Sequence, residues 1–265
     1  MSPLVVFRGG GEMASAAARL VFLAGFRVVV LEREAPLALR RLVAFAQAVF
    51  AGACDVEGVR GRRVATSELA GAGADAVLVA VDPDGASLGA LRPDVVVDGR
   101  MAKRNLGTRM TDAPLVIGLG PGLSAGTDVH AVVETQRGPD LGGVRWHGET
   151  EADTGVPAAV LGHTSARVLR APVAGRLVAR RAIGSVVEAG ETVARVGDVD
   201  VVAEIAGMLR GIVADGVVVE AASKVGDIDP RGALVDPARI SEKGRAIAAG
   251  VLEAIFRAAT VLKAP

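Results

Sequence analysis

The chain has 265 residues, of which 51% are hydrophobic and 23% charged, and its formal net charge at pH 7 is zero. This composition is typical of a folded globular protein, and the balanced charge argues against nucleic acid or an anionic membrane surface as a partner. Aromatic residues make up only 3%, which argues against the stacking platforms that bind single-stranded nucleic acid. The single cysteine, Cys54, excludes an internal disulfide and a cysteine-based zinc site. With no apolar run of about 18 residues and no signal-peptide pattern, we expect a cytoplasmic protein.

Residues 4 to 34 predict a strand, a glycine turn, a helix and a second strand. Leu4–Phe7 is a short apolar run, and Val28–Leu31 is a β-branched run closed by an acidic residue. Between them, Glu12–Ala24 has alanine-rich helical spacing and is followed by a glycine. This order is that of the first unit of a Rossmann-type fold.

The glycine turn reads G-x-G-x-x-A, and Gly9, Gly10 and Gly11 are candidates for contact with a dinucleotide or a similar phosphate-bearing ligand. Gly9 permits the tight turn, Gly11 lets the backbone approach a pyrophosphate, and Ala14 lets the helix pack closely on the strand. Glu32 lies about 20 residues further on, where a carboxylate holds ribose hydroxyls and disfavours a 2′-phosphate. The pattern therefore favours NAD(H), or another ligand with an adenosine-like ribose, over NADP(H).

Two features leave the occupancy of this turn open. Glycines at these positions also serve a strand-to-helix turn with close helix packing, without any ligand. In addition, Glu12 at the start of the helix either repels a pyrophosphate or caps the helix when no ligand is bound.

The chain continues as alternating helical and apolar segments up to about residue 119. Pro36–Ala51 is expected to be a helix, and Val56–Val64 a short strand or a hairpin. Ala76–Val81, Asp94–Val97 and Leu115–Leu119 are apolar almost throughout, as are strands buried on both faces of a parallel sheet. The sequence therefore predicts a doubly wound α/β domain.

A second glycine-rich loop follows the last of these strands. Gly120 and Gly122 lie in a loop whose backbone N–H groups can cradle a phosphate or another oxyanion, and Asp128 follows shortly after. Lys103, which would bind a phosphate as a point charge, and Asn105 lie just beyond an upstream strand. Because ligands of open α/β sheets bind outside the carboxyl ends of the strands, we expect these residues to complete the pocket at the glycine turn.

Other side chains near this loop have plain structural interpretations as well as functional ones. Lys103 forms either an ion pair with Asp98 or a ligand contact. His130 is expected to be a hydrogen-bonded structural residue, and with three histidines and one cysteine in the chain no metal site is expected. Glu134 either pairs with a neighbouring arginine such as Arg137 or transfers a proton.

From about residue 168, short β-branched runs alternate with glycines, and the pattern repeats. Gly184–Ala189 matches Gly216–Ala221, and Val196–Asp198 matches Val225–Asp227. The repeat predicts a small pseudo-twofold β sandwich similar to the barrel-sandwich hybrid of biotinyl and lipoyl domains. The junction at residues 196–203 contains no lysine, so neither covalent biotin nor covalent lipoate is expected. The module would then be a structural lid or a docking surface.

The expected fold class is therefore α/β, with a Rossmann-like doubly wound sheet, an inserted or appended all-β module and a C-terminal helix. We assign residues 1–165 to the Rossmann-like nucleotide-binding domain and residues 166–232 to the barrel-sandwich hybrid. Residues 233–265 contain the helix, with Ser241 as its N-cap, and this helix is expected to pack back on the core.

Four motifs are distributed along the chain. They are Arg8–Gly11, the stretch VDGRMAKRNLGT from Val97, the stretch that begins with PLVIGLGPG at Pro114 and continues as AG-x-DVHAVVET-x-RG from Ala125, and Gly226–Gly232. Their combination, over essentially the whole chain, resembles the YqeB-like accessory protein family of selenium-dependent molybdenum hydroxylases. The resemblance implies a role in the maturation of these hydroxylases rather than hydroxylase activity itself.

We therefore expect a maturation factor that binds NAD(H), another adenosine nucleotide or a dinucleotide form of the molybdenum cofactor, with a molybdenum hydroxylase as its partner. One alternative is a non-enzymatic chaperone or scaffold that docks the hydroxylase through the β module. Another is an NAD-dependent oxidoreductase, although a chain without tyrosine lacks a Tyr-x-x-x-Lys pair. Cys54 is a bystander or, in cofactor sulfuration, a persulfide carrier. Whether the protein is an enzyme, and its oligomeric state, stay open.

Overall fold

The computed structural model describes residues 2–262, with side chains up to residue 258. Two compact units are present. The first, here called the sheet unit, contains residues up to 34, residues 43–153 and the chain from residue 240. The second, here called the β unit, contains residues 35–42 and 154–239. The sequence-based boundaries at 165 and 232 thus both lie inside the β unit.

The sheet unit is built around one nine-stranded sheet with the order β10-β9-β7-β6-β1-β2-β5-β4-β3. Neighbouring strands run parallel except at the two edges, where β3 pairs antiparallel with β4 and β10 with β9. Two further short strands, β8 and β11, form a separate ribbon. The strands are Leu4–Arg8 (β1), Arg27–Glu32 (β2), Ala53–Val56 (β3), Val59–Arg63 (β4), Val77–Val81 (β5), Val95–Asp98 (β6), Leu115–Leu119 (β7), Ser124–Ala125 (β8), Ala131–Val133 (β9), Val144–Arg145 (β10) and Gly148–Glu149 (β11).

Few helices accompany this sheet: α1 (Glu12–Leu23), α2 (Gln47–Ala51), α3 (Leu88–Leu91) and α4 (Glu242–Leu262) in the described part of the chain. α1 and α4 pack against each other and cover one face, where buried alanines of α1 allow a close approach. The opposite face is covered mainly by loops and short helical turns. The fold is therefore mixed α/β with a large sheet, and the expected strand–turn–helix–strand start is present.

The predicted helix Pro36–Ala51 is wrong for most of its length. Only Gln47–Ala51 is α-helical, with a short 3-10 turn at Arg41–Val43. The preceding residues bond to the β unit instead: the carbonyl of Leu39 accepts from the N–H of Ile212 at 3.0 Å. Backbone groups used in this way are not available for helical hydrogen bonds, and side-chain periodicity does not reveal such long-range pairing.

The β unit consists of two four-stranded sheets, β12-β19-β17-β14 and β16-β15-β13-β18. The predicted repeat corresponds to β13–β15 in the first copy and β17–β19 in the second. The short middle strand of each copy pairs with the other copy, since β14 joins β17 and β18 joins β13. The strands are Val168–Arg170 (β12), Gly175–Ala179 (β13), Val186–Val187 (β14), Thr192–Val196 (β15), Val199–Val202 (β16), Gly207–Ile212 (β17), Val218–Val219 (β18) and Lys224–Asp229 (β19).

Candidate functional site

The three glycines of the turn after β1 have different surroundings. Gly9 has a φ of +96°, and a Cβ there would lie 3.1 Å from the backbone of Arg100. A Cβ on Gly10 would lie 2.8 Å from the backbone nitrogen of Ala46. A Cβ on Gly11 would meet nothing within 4 Å. Packing therefore accounts for the first two glycines, whereas space is open beside the third.

Gly11 is also the N-cap of α1 and makes no side-chain cap. The predicted close packing of Ala14 is present, because a Cβ on Gly99 would lie 2.6 Å from the Cβ of Ala14. Glu12 accepts a hydrogen bond from the hydroxyl of Ser241 at 2.7 Å. Ser241 in turn caps α4, as predicted. The carboxylate of Glu12, in the first turn of α1, thus accepts a hydrogen bond from the N-cap residue of α4.

Glu32 ends β2, and both of its carboxylate oxygens touch backbone near the turn. One oxygen accepts from the N–H of Gly10 at 2.8 Å, and the other from the N–H of Arg33 at 2.8 Å. Each oxygen retains acceptor capacity, since a carboxylate offers about four lone-pair sites. Glu32 is thereby fixed beside the turn in a position from which it can accept ribose hydroxyls.

The segment at Phe45 and Ala46, which the sequence analysis predicted to be helical, also packs on the turn. The N–H of Ala46 donates to the carbonyl of Gly10 at 2.9 Å, and the hydroxyl of Ser15 donates to the same oxygen at 2.9 Å. The N–H of Phe45 donates to that hydroxyl at 2.8 Å. These contacts fix the conformation of Gly10 from the side opposite its N–H group.

A buried charged cluster, here called the Arg8 cluster, lies where β1 and β6 end. It consists of Arg8, Asp98, Arg100 and Thr108, with Arg8 4% and Thr108 1% exposed. The Thr108 hydroxyl accepts from Arg8 Nη1 at 2.9 Å and from Arg100 Nη2 at 2.9 Å, and donates to Asp98 Oδ2 at 2.7 Å. Arg100 also grips Asp98, with Nε on Oδ1 at 3.0 Å and Nη2 on Oδ2 at 2.7 Å.

Arg100 pairs directly with Asp98, whereas Arg8 is connected to that carboxylate through the Thr108 hydroxyl. Burial raises the pKa of Asp98, but the hydrogen bonds and charge of Arg100 outweigh it and hold the pKa below its usual value. Burial lowers the pKa of Arg8, and the charge of Arg100 lowers it further. The sequence analysis did not predict this cluster. A signal was present, however, because Arg8 and Asp98 are the last residues of two parallel strands, and ligands of such sheets bind at the carboxyl ends of the strands.

The two loops that carry the other predicted site residues are packed on each other. A Cβ on Gly122 would overlap the backbone at Lys103 and Arg104, and a Cβ on Gly120 would lie 2.6 Å from the Thr135 hydroxyl. Both glycines have positive φ. Their conformations and their lack of a side chain are therefore required by packing, with or without a ligand.

The polar residues of these loops have protein partners. Asn105 donates to Asp128 at 2.9 Å, and the second oxygen of Asp128 accepts from the N–H of Ser124 at 2.9 Å. Lys103 pairs with Asp153 at 2.6 Å rather than with Asp98, and both side chains are exposed. Lys103 has a φ of +59°, an uncommon conformation for a non-glycine residue. The two loops therefore hold each other in a fixed conformation. Lys103 is the residue that could exchange its present partner, Asp153, for a ligand, because an ion pair between exposed side chains is weak.

Glu134 has an ionic partner other than the expected Arg137, whereas His130 makes a structural hydrogen bond as expected. The Glu134 carboxylate accepts three backbone N–H bonds, each of 2.7 Å, and lies 3.7 Å from Arg145, whereas Arg137 pairs with Glu242. His130 Nδ1 accepts from the N–H of Val116 at 2.9 Å, and burial lowers the pKa of this histidine. A buried carboxylate that accepts three backbone N–H bonds is typical of an anchor for the surrounding loops rather than of a proton-transfer group.

Cys54 is half-buried, and burial raises its pKa to about 11. The thiolate is the reactive form, so this environment disfavours a persulfide carrier. Within residues 2–262 no three His, Cys, Asp or Glu side chains are grouped as metal ligands would be. Even the longest helix described, α4, lacks an apolar stretch that would cross a bilayer.

The predicted ligand-binding residues thus fall into two groups within the sheet unit, all near the carboxyl ends of β1, β2, β6 and β7. The first group surrounds the glycine turn, and the second forms the paired loops. The Arg8 cluster connects them, because Arg100 packs on Gly9 and belongs to the same loop as Lys103 and Asn105.

Comparison with known proteins gives one close sequence relative. The chain is 46% identical over 261 residues to "Uncharacterized protein YqeB" of Escherichia coli (strain K12). This similarity supports a YqeB-like family. It covers 96% of this chain and 47% of the relative, so the chain spans about half the length of the curated protein that it matches. It says nothing about molybdenum hydroxylases, and no protein-family model matches the chain.

Similarities to solved structures are weak. The product-bound ectoine utilization protein EutE (DoeB) of Ruegeria pomeroyi is 18% identical with a TM-score of 0.23, and the similarity covers 32% of this chain and 28% of that one. An aspartoacylase family protein of Mesorhizobium loti MAFF303099 is 10% identical with a TM-score of 0.28, over 86% of this chain and 85% of that one. At such TM-scores these similarities carry no argument about function.

Proposed function

We propose that this protein is an accessory factor in the maturation of a selenium-dependent molybdenum hydroxylase, and that its sheet unit binds a nucleotide-containing ligand at the carboxyl ends of β1, β2 and β6. The maturation role rests on the four sequence motifs, and the similarity to YqeB supports the family resemblance. The ligand rests on the geometry of the sheet unit.

The order of the parallel strands supports a Rossmann-like arrangement. Six neighbouring strands run β5-β2-β1-β6-β7-β9, which becomes 3-2-1-4-5-6 when they are renumbered along the chain. This is the order found in dinucleotide-binding folds, whose ligand lies where the order reverses. Here that point is between β1 and β6, at the glycine turn and the Arg8 cluster.

The observation that carries the proposal is the open space beside Gly11 at the N-terminus of α1. Helix N-termini offer backbone N–H groups and a partial positive charge to an anion. Glu32 is fixed next to the same turn, and Glu12 is held by Ser241. A phosphate beside Gly11 and a ribose near Glu32 fit this arrangement.

The ligand is tested by calorimetric titration of the full chain with NAD(H), ATP, CTP and a molybdopterin dinucleotide. Gly11→Asp places a carboxylate in the open space and should abolish binding. Aspartate is a favoured N-cap, so this variant should stay folded. The matched control is Gly71→Asp, on another glycine with open surroundings, which should bind as the parent does. Folded protein that binds none of the four ligands contradicts the nucleotide proposal.

A second candidate function is a scaffold that docks the hydroxylase through the β unit. The exchanged short strands support a barrel-sandwich hybrid, and they present two apolar side chains at equivalent positions of the repeat. Val186 on β14 is 50% exposed and Val218 on β18 is 59% exposed. Capture of the hydroxylase should survive Gly11→Asp and be lost in Val186→Lys/Val218→Lys. The reverse pattern contradicts the scaffold.

A further inference from the structure

Glu12 places a negative charge at the end of α1 where the proposed phosphate binds. It is the first residue of that helix and follows Gly11 directly. The first turn of a helix offers backbone N–H groups without intrahelical partners, and these groups attract a carboxylate as well as a phosphate. A phosphate beside Gly11 therefore requires that the Glu12 carboxylate be held elsewhere.

The start of α4 provides such a restraint. Ser241 Oγ donates to Glu12 Oε1 at 2.7 Å, although 229 positions separate the two residues in the sequence. The same hydroxyl oxygen accepts from the N–H of Gly244 at 3.1 Å. Because Ser241 is 7% exposed and its single proton is directed at Glu12, the hydroxyl has no competing water partner that would draw it away.

This hydrogen bond draws the Glu12 carboxylate along the side of α1 that packs on α4. A Cβ on Gly244, in the first turn of α4, would lie 3.2 Å from the Cβ of Ala16 and 3.5 Å from the Ser241 hydroxyl oxygen. Ala16 lies one turn further along α1 than Glu12 and on the same face of the helix. The carboxylate is therefore directed towards α4 and not across the N-terminal end of α1.

The backbone on both sides of Ser241 is itself anchored, by Glu57 at the tip of the β3–β4 hairpin. The N–H of Ile240 donates to Glu57 Oε1 at 2.8 Å, and Arg245 Nη2 donates to the two Glu57 oxygens at 2.7 and 2.9 Å. Burial raises the pKa of Glu57, but these hydrogen bonds and the charge of Arg245 outweigh it and lower the pKa. Glu57 is therefore ionised at neutral pH and fixes the position from which Ser241 reaches Glu12.

We propose that Ser241 is a positioning residue of the nucleotide site: its hydroxyl holds the Glu12 carboxylate against α4 and so leaves the N-terminus of α1 open to a phosphate. This inference rests on the proposed nucleotide binding. Ser241 acts through Glu12 and not through a ligand contact of its own. Removing the hydroxyl releases a negative charge beside Gly11, where it competes with the phosphate for the helix N-terminus and repels it.

The test is calorimetric titration of the full chain with NAD(H), ATP, CTP, a molybdopterin dinucleotide and inorganic pyrophosphate. Ser241→Ala should weaken the binding of a ligand that the parent binds by about three- to tenfold. Glu12→Gln removes the charge, so the double variant Ser241→Ala/Glu12→Gln should bind as Glu12→Gln alone does. The loss in Ser241→Ala should also shrink at high salt, because repulsion between exposed charges is screened. A loss caused only by a poorer α4 cap would show neither the rescue nor the salt dependence.

Three further variants separate the hydroxyl from the packing of α4. Ser241→Thr keeps the hydroxyl and should bind as the parent does. Val251→Ala loosens the buried face of α4 without altering the hydrogen bond to Glu12, and it should also bind as the parent does. If Ser241→Ala does not fold, Ser241→Gly removes the hydroxyl at an N-cap position where glycine costs little stability.

The outcomes distinguish this inference from the proposed function. Binding by the parent that Ser241→Ala leaves unchanged, or a loss that persists in the double variant, overturns the role of Ser241 and leaves the nucleotide proposal standing. Folded parent that binds none of the five ligands overturns both.

Discussion

Replacing Thr108 by valine tests whether its hydroxyl holds the Arg8 cluster together. Valine has nearly the same shape, so the change removes three short hydrogen bonds without opening a cavity. Arg100 and Asp98 keep their direct bonds to each other, whereas Arg8 Nη1 loses the acceptor that it has here. A buried charged donor without a partner costs about 1–3 kcal/mol, and weakening of the other two bonds brings the expected loss to about 3 kcal/mol.

Urea unfolding monitored by the fluorescence of Trp146, the single tryptophan, reports on this loss because Trp146 packs against the core of the sheet unit. Thr108→Ser keeps the hydroxyl and should cost only about 1 kcal/mol for the lost methyl group. Arg8→Met combined with Thr108→Val should cost less than the two single changes together, because both partners are then removed. Equal stability of the Val and Ser variants would refute the role of the hydroxyl.

Three further predictions concern neighbouring parts of the sheet unit. Gly122→Ala should cost about 2–4 kcal/mol, since its Cβ overlaps the Lys103 backbone, whereas Gly58→Ala, at a positive φ in open space, should cost only about 1 kcal/mol in the same urea assay. Cys54, with its pKa raised to about 11, should resist a thiol reagent at pH 7.5 until urea unfolds the protein; rapid labelling of folded protein contradicts this. Burial lowers the pKa of His130 in the folded protein, so its contribution to stability is complete above about pH 6.5 and falls as the pH drops towards the pKa of the folded state. His130→Asn should remove this fall, which is measured as the difference between the urea midpoints at about pH 7.5 and about pH 5.5.

The elements that sequence reasoning located are those whose signal is local. β1, α1 and β2 follow from a short apolar run, a glycine turn and helical spacing. Of the hairpin strands, β4 lies within the predicted range Val56–Val64, whereas β3 precedes that range and shares only Val56 with it. The helix at Pro36–Ala51 was wrong because its backbone partner, Ile212, lies far along the chain. A helical spacing of apolar residues does not exclude a segment that joins another unit.

The residues of the candidate site were easier to locate than their partners. Lys103 and Glu134 both have ionic partners other than those expected, because sequence proximity favours Asp98 and Arg137, while chain folding brings Asp153 and Arg145. When two polar side chains are far apart in sequence, whether they meet depends on the path of the loop between them, and residue types alone do not determine that path.

The glycine turn shows how the structure separates glycines required by packing from a glycine that is not. Gly9 combines a φ of +96° with a tight approach to the Arg100 backbone, and a Cβ on Gly10 would overlap Ala46, so conformation and packing account for glycine at both positions. Gly11 has an ordinary negative φ and open surroundings, and at a helix N-cap serine or aspartate would serve the helix at least as well. Neither backbone conformation nor packing therefore requires glycine at this position. For this reason Gly11→Asp, rather than a change at Gly9 or Gly10, is the variant that separates ligand binding from folding.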